Sequence, residues 1–280
     1  MRSARLIVSG VACVLCMVFG PFLGSRVSAG DSMWGGADGD TVWAGVQTGT
    51  PPSAGGSDSS GCTWKPATVY DSGIGGSPSS VTKTVGGVTY DLYERHCPGG
   101  MTLVWIPRIG STTLAHNASA MVAARLPLPS LKMAPAATGG VVDVATWLWL
   151  ASDQWQPVSA TAWIPGVMGP VWARTTATPR SFTFVTQDDG TREGAAVSTV
   201  VCEGRGEEWR VEMGDEVASE CSYTYRHSSA HRVSEVFVAL VIVEWETRFT
   251  SSSGNSGVLG SLQTSAFVNV RVDELQALVR

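Results

Sequence analysis

The second half of the chain, from Val141 onward, is dense in short runs of alternating or β-branched residues. Runs of this length, separated by Gly, Pro and Asp turns, predict β-strands. Seven or eight strands within the 140 residues of 141–280 meet the requirement of a two-sheet sandwich. The predicted strands cover 146–150, 158–163, 171–178, 181–186, 197–202, 222–226, 234–250 and 263–272.

Low charge and abundant glycine agree with this strand pattern. Charged residues make up 15% of the chain, which also has 32 glycines and 11 tryptophans. Val, Thr and aromatic residues favour strands, whereas long helices are usually rich in charged residues. We therefore predict a mainly β protein, with a small disulfide-closed β-module and one helix preceding the sandwich.

The first 29 residues have the pattern of a signal peptide. Arg2 and Arg5 precede an uncharged apolar run over 6–23, and Val27 and Ala29 place small side chains where signal peptidase accepts them. We predict cleavage after Ala29 and export. The alternative is an uncleaved membrane anchor, because the run has nearly the length that spans a bilayer. We expect membrane contact only through such an anchor.

The acidic balance of the chain argues against nucleic acid as a partner. All 24 acidic residues follow residue 29, so losing Arg2, Arg5 and Arg26 with the signal would lower the net charge from −5 to −8. Lysines are few and scattered along the sequence. Phosphate recognition needs clustered Lys and Arg, which this sequence lacks.

Four cysteines remain after the predicted cleavage: Cys62, Cys97, Cys202 and Cys221. An even number in an exported chain predicts disulfides rather than free thiols. Four cysteines allow three pairings. We favour the local one, Cys62 with Cys97 and Cys202 with Cys221, because each pair lies in a segment with the pattern of a separate folding unit. A metal site with four thiolates is disfavoured, since no C-x-x-C spacing is present.

Composition divides the chain between the signal and the sandwich. Residues 30–61 are rich in Gly, Ser, Asp and Pro and predict a flexible linker. Residues 62–140 are predicted to form the small module. Its hairpin has strands over 88–93 and 101–107 around a Pro98-Gly99-Gly100 turn.

A single helix is predicted within 111–129. Ser111, Thr112 or Thr113 is expected to cap its start, and Pro127 to end it. The apolar residues of this segment recur at helical spacing and fall near one face. They are Leu114, Ala118, Met121, Val122 and Leu126.

The last two strands predict a terminal antiparallel hairpin. One face of its first strand carries Phe237, Ala239, Val241, Val243, Trp245 and Phe249. The opposite face begins with Val238, Leu240 and Ile242 and ends with Glu244, Glu246 and Arg248. We therefore expect the first half to be buried on both sides and the second half on the Trp245 side only. Val268, Val270 and Val272 form the apolar face of the returning strand.

A set of short motifs carries a resemblance to a known family. The motifs are Thr146-Trp147-Leu148-Trp149-Leu150, Trp155-x-Pro157, Ala177-Thr178-Pro179, Asp189-Gly190, Val201-Cys202-Glu203-Gly204, Cys221-Ser222-Tyr223-Thr224-Tyr225 and Val272-x-Glu274-Leu275-Gln276. Over roughly residues 62–278, the chain resembles a family of secreted actinomycete proteins of unknown function.

Part of this region also resembles a polycystic-kidney-disease-type (PKD) domain. The resemblance lies in the order of an Asp-Gly turn, a Cys-x-Tyr-Thr-Tyr motif and a long Val-rich strand. It implies an immunoglobulin-like (PKD-like) β-sandwich over 141–280, of a class that serves extracellular binding and spacing. Where that class usually has Gly-Asp-Gly, this chain has Asp188-Asp189-Gly190.

The residues that would serve catalysis or metal binding do not form a recognisable set. His227 and His231 lie in a predicted loop, where their spacing does not place them on one helix face. Acidic residues between the strands suggest either a calcium site or solvated loop charge. We favour the latter, because no D-x-D-x-D-G run fixes the ligand geometry. These residues are Asp188, Asp189, Glu193, Glu203, Glu207, Glu208, Asp215 and Glu216. We predict no catalytic residue, metal site or cofactor.

Tryptophans in the second half suggest either a core or a carbohydrate platform. Trp147 and Trp149 are two residues apart on a predicted strand and share a face, which we expect to be core. Trp155 and Trp163 remain open between the two interpretations and form the candidate ligand surface.

Two functional hypotheses follow. The first is an exported non-catalytic binding or structural protein of the cell envelope, belonging to a secretion or transfer assembly, with an envelope protein or wall polymer as partner. The second is a secreted hydrolase of wall polymers, which requires two carboxylates facing each other across a cleft.

Overall fold

The computed structural model describes residues 37–38, 41–42, 47–48, 51–53, 56–58, 60–69, 79–188, 197–213, 219–232 and 234–275. The predicted signal peptide and most of the predicted linker lie outside these residues. No helix in the described ranges is long and apolar enough to cross a membrane.

Short strands and one hairpin precede the helix. The strands are β1 (Ala37–Asp38), β2 (Thr41–Val42), β3 (Gln47–Thr48), β4 (Thr63–Pro66), β5 (Thr68–Val69), β6 (Ser79–Ser80), β7 (Thr82–Val85), β8 (Val88–Cys97) and β9 (Gly100–Pro107). β8 and β9 pair antiparallel, from Tyr90 opposite Pro107 to Cys97 opposite Gly100. Gly100 closes the turn with a φ of 135°, a conformation that glycine adopts without steric cost. The predicted hairpin is confirmed.

The helix α1 (Ser111–Ala123) lies within the predicted segment, but both of its ends differ from the prediction. Gly110 is the N-cap residue and no side chain caps the first turn, so Ser111, Thr112 and Thr113 belong to the helix itself. The helix ends at Ala123, before Pro127 is reached. Its buried face consists of Leu114, Ala115, Ala118 and Val122.

The strands after the helix complete a mainly β fold. They are β10 (Leu131–Ala134), β11 (Gly140–Val141), β12 (Ala145–Leu150), β13 (Val158–Ile164), β14 (Val171–Thr186), β15 (Ser198–Glu203), β16 (Ser222–Thr224), β17 (Phe237–Ser251), β18 (Ser256–Val270) and β19 (Val272–Asp273). The predicted fold class, mainly β with one helix and two disulfides, is confirmed.

A six-stranded sheet, which we call the large sheet, is the centre of the fold. Its strand order is β18-β17-β14-β13-β3, and β15 pairs with β14 as well. β17 follows β14 along almost its whole length. On the other side of β14, β13 pairs with the first half and β15 with the second half. β18 therefore forms one edge of the large sheet.

β14 is one continuous strand where the sequence predicts two. Pro179 lies in the gap between the last β13 partner, Ala177, and the first β15 partner, Ser181. The β14–β17 register shifts between Pro179 and Ser181, which marks a bulge. Since proline has no N–H, it is tolerated where a strand lacks a partner on one side.

A second layer covers one face of the large sheet and gives the fold its sandwich-like arrangement. The three-stranded sheet β10-β12-β16 supplies Leu148 and Leu150, which are buried in one cluster with Phe182 and Phe184 of β14. We call the covered side of the large sheet its inner face and the opposite side its outer face.

The helix joins the first hairpin to the large sheet. Leu114, Ala115 and Ala118 are buried in a cluster with side chains of β8 and β9 on one side and of β13, β14 and β17 on the other. The buried Thr175 hydroxyl donates a hydrogen bond of 2.9 Å to the Ala115 carbonyl. The segments predicted as separate modules therefore share a hydrophobic core.

The terminal hairpin is present as predicted, with Phe237 of β17 opposite Val270 of β18. Trp245 and Val270 point into the core, where each exposes 1% of its surface. The prediction that the first half of β17 is buried on both sides is wrong, because Val238 is 52% exposed and Leu240 and Ile242 are only half-buried. No layer covers this side within the part of the chain that the structure describes.

Candidate functional site

The first disulfide, Cys62–Cys97, is anchored by a buried aspartate. One oxygen of Asp58 accepts hydrogen bonds from the backbone N–H groups of Ser60 and Cys62, at 2.9 and 3.0 Å. The other oxygen accepts the Trp64 indole N–H at 3.1 Å. Both oxygens of this carboxylate are therefore occupied by protein donors, and Asp58 fixes the disulfide loop.

The second disulfide, Cys202–Cys221, borders an open groove of about 820 Å³. Glu203, Glu207 and Glu220 line this groove, and all three are exposed. Arg205 also lines it and donates a hydrogen bond of 3.2 Å to the Leu150 carbonyl. Glycosidases obtain a general acid by removing a carboxyl group from water. The three exposed glutamates lack that burial.

Asp188 is a second buried carboxylate that serves the fold. Its side chain is 0% exposed at the end of β14. One oxygen accepts the Arg226 backbone N–H at 2.6 Å and the Tyr223 hydroxyl at 3.2 Å. The other lies 3.0 Å from Nδ1 of His227. This carboxylate therefore ties the segment after β16 to β14, and its oxygens are not free to bind calcium.

The candidate metal ligands are not brought together. His227 contacts Asp188, whereas the His231 ring packs edge-on against Phe237 at 5.9 Å between centroids. Of the acidic residues, Asp189, Glu193, Asp215 and Glu216 lie outside the described ranges. Among the residues that the structure describes, no group of three His, Cys, Asp or Glu side chains is placed to hold a metal ion.

The tryptophans considered as core or ligand residues are all buried or half-buried. Trp147 is buried and Trp149 is half-buried. Of the two candidate ligand residues, Trp163 exposes only 2% of its surface. Trp155 is half-buried and packs against the main core cluster. A ring exposed as little as that of Trp163 leaves no face on which a ligand can stack.

The outer face of the large sheet carries a group of neighbouring apolar side chains, with threonine and serine residues among them. Residues directly opposite each other in an antiparallel pair point to the same side of a sheet. One row across four strands is therefore Val201, Thr183, Ile242 and Ser265, and the next is Thr199, Val185, Leu240 and Phe267. We call Val185, Val201, Val238, Leu240, Ile242 and Phe267 the apolar patch.

The apolar patch is open to solvent. Phe267 is 70% exposed, Val201 59% and Val238 52%. Single exposed apolar residues are ordinary on protein surfaces, but neighbouring ones on a flat face mark interaction sites. The apolar patch carries no charge, and it spans strands from β15 to β18.

Charged side chains continue the outer face beyond the apolar patch. Glu244, Glu246 and Arg248 follow Ile242 on the same side of β17, and Arg180 reaches them from β14. Hydrogen bonding from Arg248, supported by Arg180 at 2.8 Å, lowers the pKa of Glu246. We call these four residues the charged patch. It contains two positive and two negative side chains, so its net charge is zero. The outer face therefore has an uncharged part and a part whose charges cancel.

This surface was not predicted from the sequence, because the first half of β17 has the apolar pattern of a strand that is buried on both sides. A signal was present: Phe267 falls on the mixed face of the returning strand, on the side opposite Val268 and Val270. A large aromatic residue on that face indicates exposure only if nothing packs there. That information comes from the tertiary structure.

Comparisons with known protein families, with curated proteins and with solved structures found no match to this chain.

Proposed function

We propose that this chain is an exported, non-catalytic binding or structural protein of the cell envelope, whose outer face binds another envelope protein. The observation that carries the proposal is the exposure of the apolar patch on a sheet whose inner face is buried along β14 and β17. Covering such a patch with a partner removes apolar surface from water, at about 25 cal/mol per Å².

The chemistry of the apolar patch favours a protein over a wall polymer. Carbohydrate platforms use exposed aromatic rings flanked by hydrogen-bonding groups, whereas five of the six patch residues are aliphatic. Protein interfaces combine an apolar centre with a polar rim. The apolar patch and the adjoining charged patch have this arrangement.

Export is supported by the two disulfides, since such bonds persist in oxidising compartments. The predicted signal peptide and the resemblance to secreted actinomycete proteins support the same location. The PKD-like resemblance supports a binding or spacing role, and we propose on this basis that the protein serves in a secretion or transfer assembly.

The hydrolase hypothesis has a candidate groove, but none of the three described glutamates that line it is buried. The groove beside Cys202–Cys221 is where carboxylates gather, and those carboxylates are exposed. We therefore do not adopt this hypothesis, and incubation with purified wall polymer tests it directly. Release of soluble sugar or peptide that disappears with Glu203→Gln or Glu207→Gln would replace our proposal.

Site-specific photocrosslinking in the producing cell tests the binding proposal. A photoreactive residue placed at Val201, a patch residue on β15, should give one discrete adduct with an envelope protein. The same residue at Gln156, which is exposed and lies outside the large sheet, is the matched control and should give none. Identical adducts from both positions, or adducts with wall polymer alone, would contradict a protein partner at the outer face.

The partner identified in this way should then be measured against the purified chain. Val238→Asp introduces a charge into the apolar patch and should weaken binding by at least about tenfold, or ~1.4 kcal/mol. Val69→Asp, at an exposed valine outside the large sheet, should leave the affinity unchanged. Equal effects of the two variants would show that the apolar patch is not the interface.

A further inference from the structure

The edge strand β18 is long and has one partner. It comprises 15 residues and pairs with β17 along its length. At about 3.4 Å per residue it extends for roughly 50 Å. Within the described ranges, no strand pairs with its other side.

The direction of the free backbone groups follows from the residue after β18. The Arg271 N–H donates to the Ala137 carbonyl at 2.7 Å, and its own carbonyl accepts the Gly140 N–H at 3.0 Å. These two bonds lie on the side away from β17. Residues two apart in a strand direct their backbone groups the same way. The N–H and C=O groups that point to the open edge therefore belong to Ser261, Gln263, Ser265, Phe267 and Asn269.

The edge of β18 lacks the devices that usually keep sheet edges apart. Proteins protect such edges with charged side chains, prolines, short strands or covering segments. β18 has no Lys, Arg, Asp, Glu or Pro among its 15 residues. Its one register irregularity lies near its start, opposite Thr247 and Arg248. Segment 137–140 bonds to Arg271, which lies just beyond the end of β18.

We propose that β18 pairs antiparallel with β18 of a second copy of this chain. A two-fold axis perpendicular to the sheet relates the two strands, so both outer faces lie on the same side and the large sheets become one. Because β18 carries no charge, self-pairing sets no like charges opposite each other, although the chain as a whole has a net charge of −5.

The size and closure of this contact suit a specific dimer. An edge about 50 Å long and about 10 Å thick gives roughly 500 Å² per partner, or ~1,000 Å² in total, which reaches the lower range of specific interfaces. Two-fold pairing uses the same strand of both copies and leaves neither β18 edge open. The dimer does not depend on a partner at the apolar patch.

A proline substitution on the open edge tests the proposal. Ser265→Pro removes an N–H that points outward, so it should abolish edge pairing while preserving the bonds to β17. Ser265→Ala is the matched control, since it removes the hydroxyl and keeps the N–H. Sedimentation of the exported chain over a wide concentration range should show dimers for the wild type and Ser265→Ala. Ser265→Pro should associate at least about tenfold more weakly.

Two further measurements keep this test decisive. Val201→Ser alters the outer face on β15, away from β18, so it should leave the dimer intact, whereas an association through the apolar patch would be lost. In the wild type, amide hydrogen exchange at residues 261–269 should slow as protein concentration rises. Retained dimers in folded Ser265→Pro would overturn the proposal. So would a wild type that stays monomeric, with edge amides that exchange rapidly at every concentration.

Discussion

The two faces of β17 have opposite surroundings although their residues alternate along one strand. Phe237, Val241 and Trp245 are almost fully buried on the inner face, where the three-stranded sheet β10-β12-β16 packs. Val238, the residue after Phe237, is half exposed on the outer face. The difference shows that an apolar side chain contributes to the fold only where a second layer covers it. On the outer face, no such layer is present in the part of the chain that the structure describes.

The largest expected effect is on the inner face. Trp245→Ala removes a buried ring and its indole hydrogen bond of 3.0 Å to Thr264, so the free energy of unfolding should fall by about 4 kcal/mol. Chemical denaturation measures this loss. Glu246→Lys changes the next residue, on the outer face, and should shift the denaturation midpoint far less, because it removes only exposed ion pairs with Arg180 and Arg248. Equal shifts in the two variants would contradict the assigned faces.

The same substitution, valine to alanine, can be made on both faces, so that only the burial of the side chain differs. Val270→Ala leaves a cavity in the core and should destabilise the fold by about 2 kcal/mol. Val238→Ala removes the same atoms from an exposed position and should cost about 0.5 kcal/mol or less. Denaturant midpoints of the two variants, measured side by side, give the comparison. Similar losses would mean that another part of the chain covers the outer face.

The pH dependence of stability at alkaline pH tests the burial of two core tyrosines. Burial, with a smaller contribution from Asp91, raises the pKa of Tyr93 to about 12, and burial also raises the pKa of Tyr225. Unfolded tyrosine has a pKa of about 10. The native state therefore binds more protons between about pH 10 and 12, and the free energy of unfolding should fall as pH rises through this window.

The stabilisation from these tyrosines should be fully present below about pH 10. Tyr93→Phe should make the alkaline decline shallower and leave the slope below it unchanged. Denaturation curves collected at a series of pH values measure both slopes. A variant with the same alkaline decline as the wild type would show that Tyr93 titrates as it does in the unfolded chain.

The smallest expected effect is on the apolar patch. Phe267 is 70% exposed, so Phe267→Ser should change the free energy of unfolding by no more than about 0.5 kcal/mol. A loss of several kcal/mol in chemical denaturation would place Phe267 in a core. The same variant should weaken binding to the envelope partner, which separates a role in recognition from a role in folding.

Local patterns in the sequence predict much of the fold. Period-two alternation places Trp245 and Val270 on their observed faces, and the Pro-Gly-Gly turn places the first hairpin. The pairing of Cys62 with Cys97 and of Cys202 with Cys221 also follows from local segments. Each of these features depends on residues close in the chain, whose geometry the local sequence controls.

Features that depend on distant segments were not predictable. The continuity of β14 through Pro179 requires that β13 end and β15 begin on either side of the proline. The packing of Leu114 and Ala115 of α1 between two sheets likewise involves residues far apart in the chain. The exposure of the candidate ligand residues was not predictable for the same reason. The burial of Trp163 depends on the residues that pack around it.

The sequence by itself determined which residues of β17 and β18 share a face, because side chains alternate with a fixed period of two in any strand. Only the tertiary structure decided which face is covered and that β18 lies at an edge. Covering a face requires another layer from elsewhere in the chain, and an edge exists only where no further strand pairs. The apolar patch and the open edge of β18 are therefore properties of the assembled sheet.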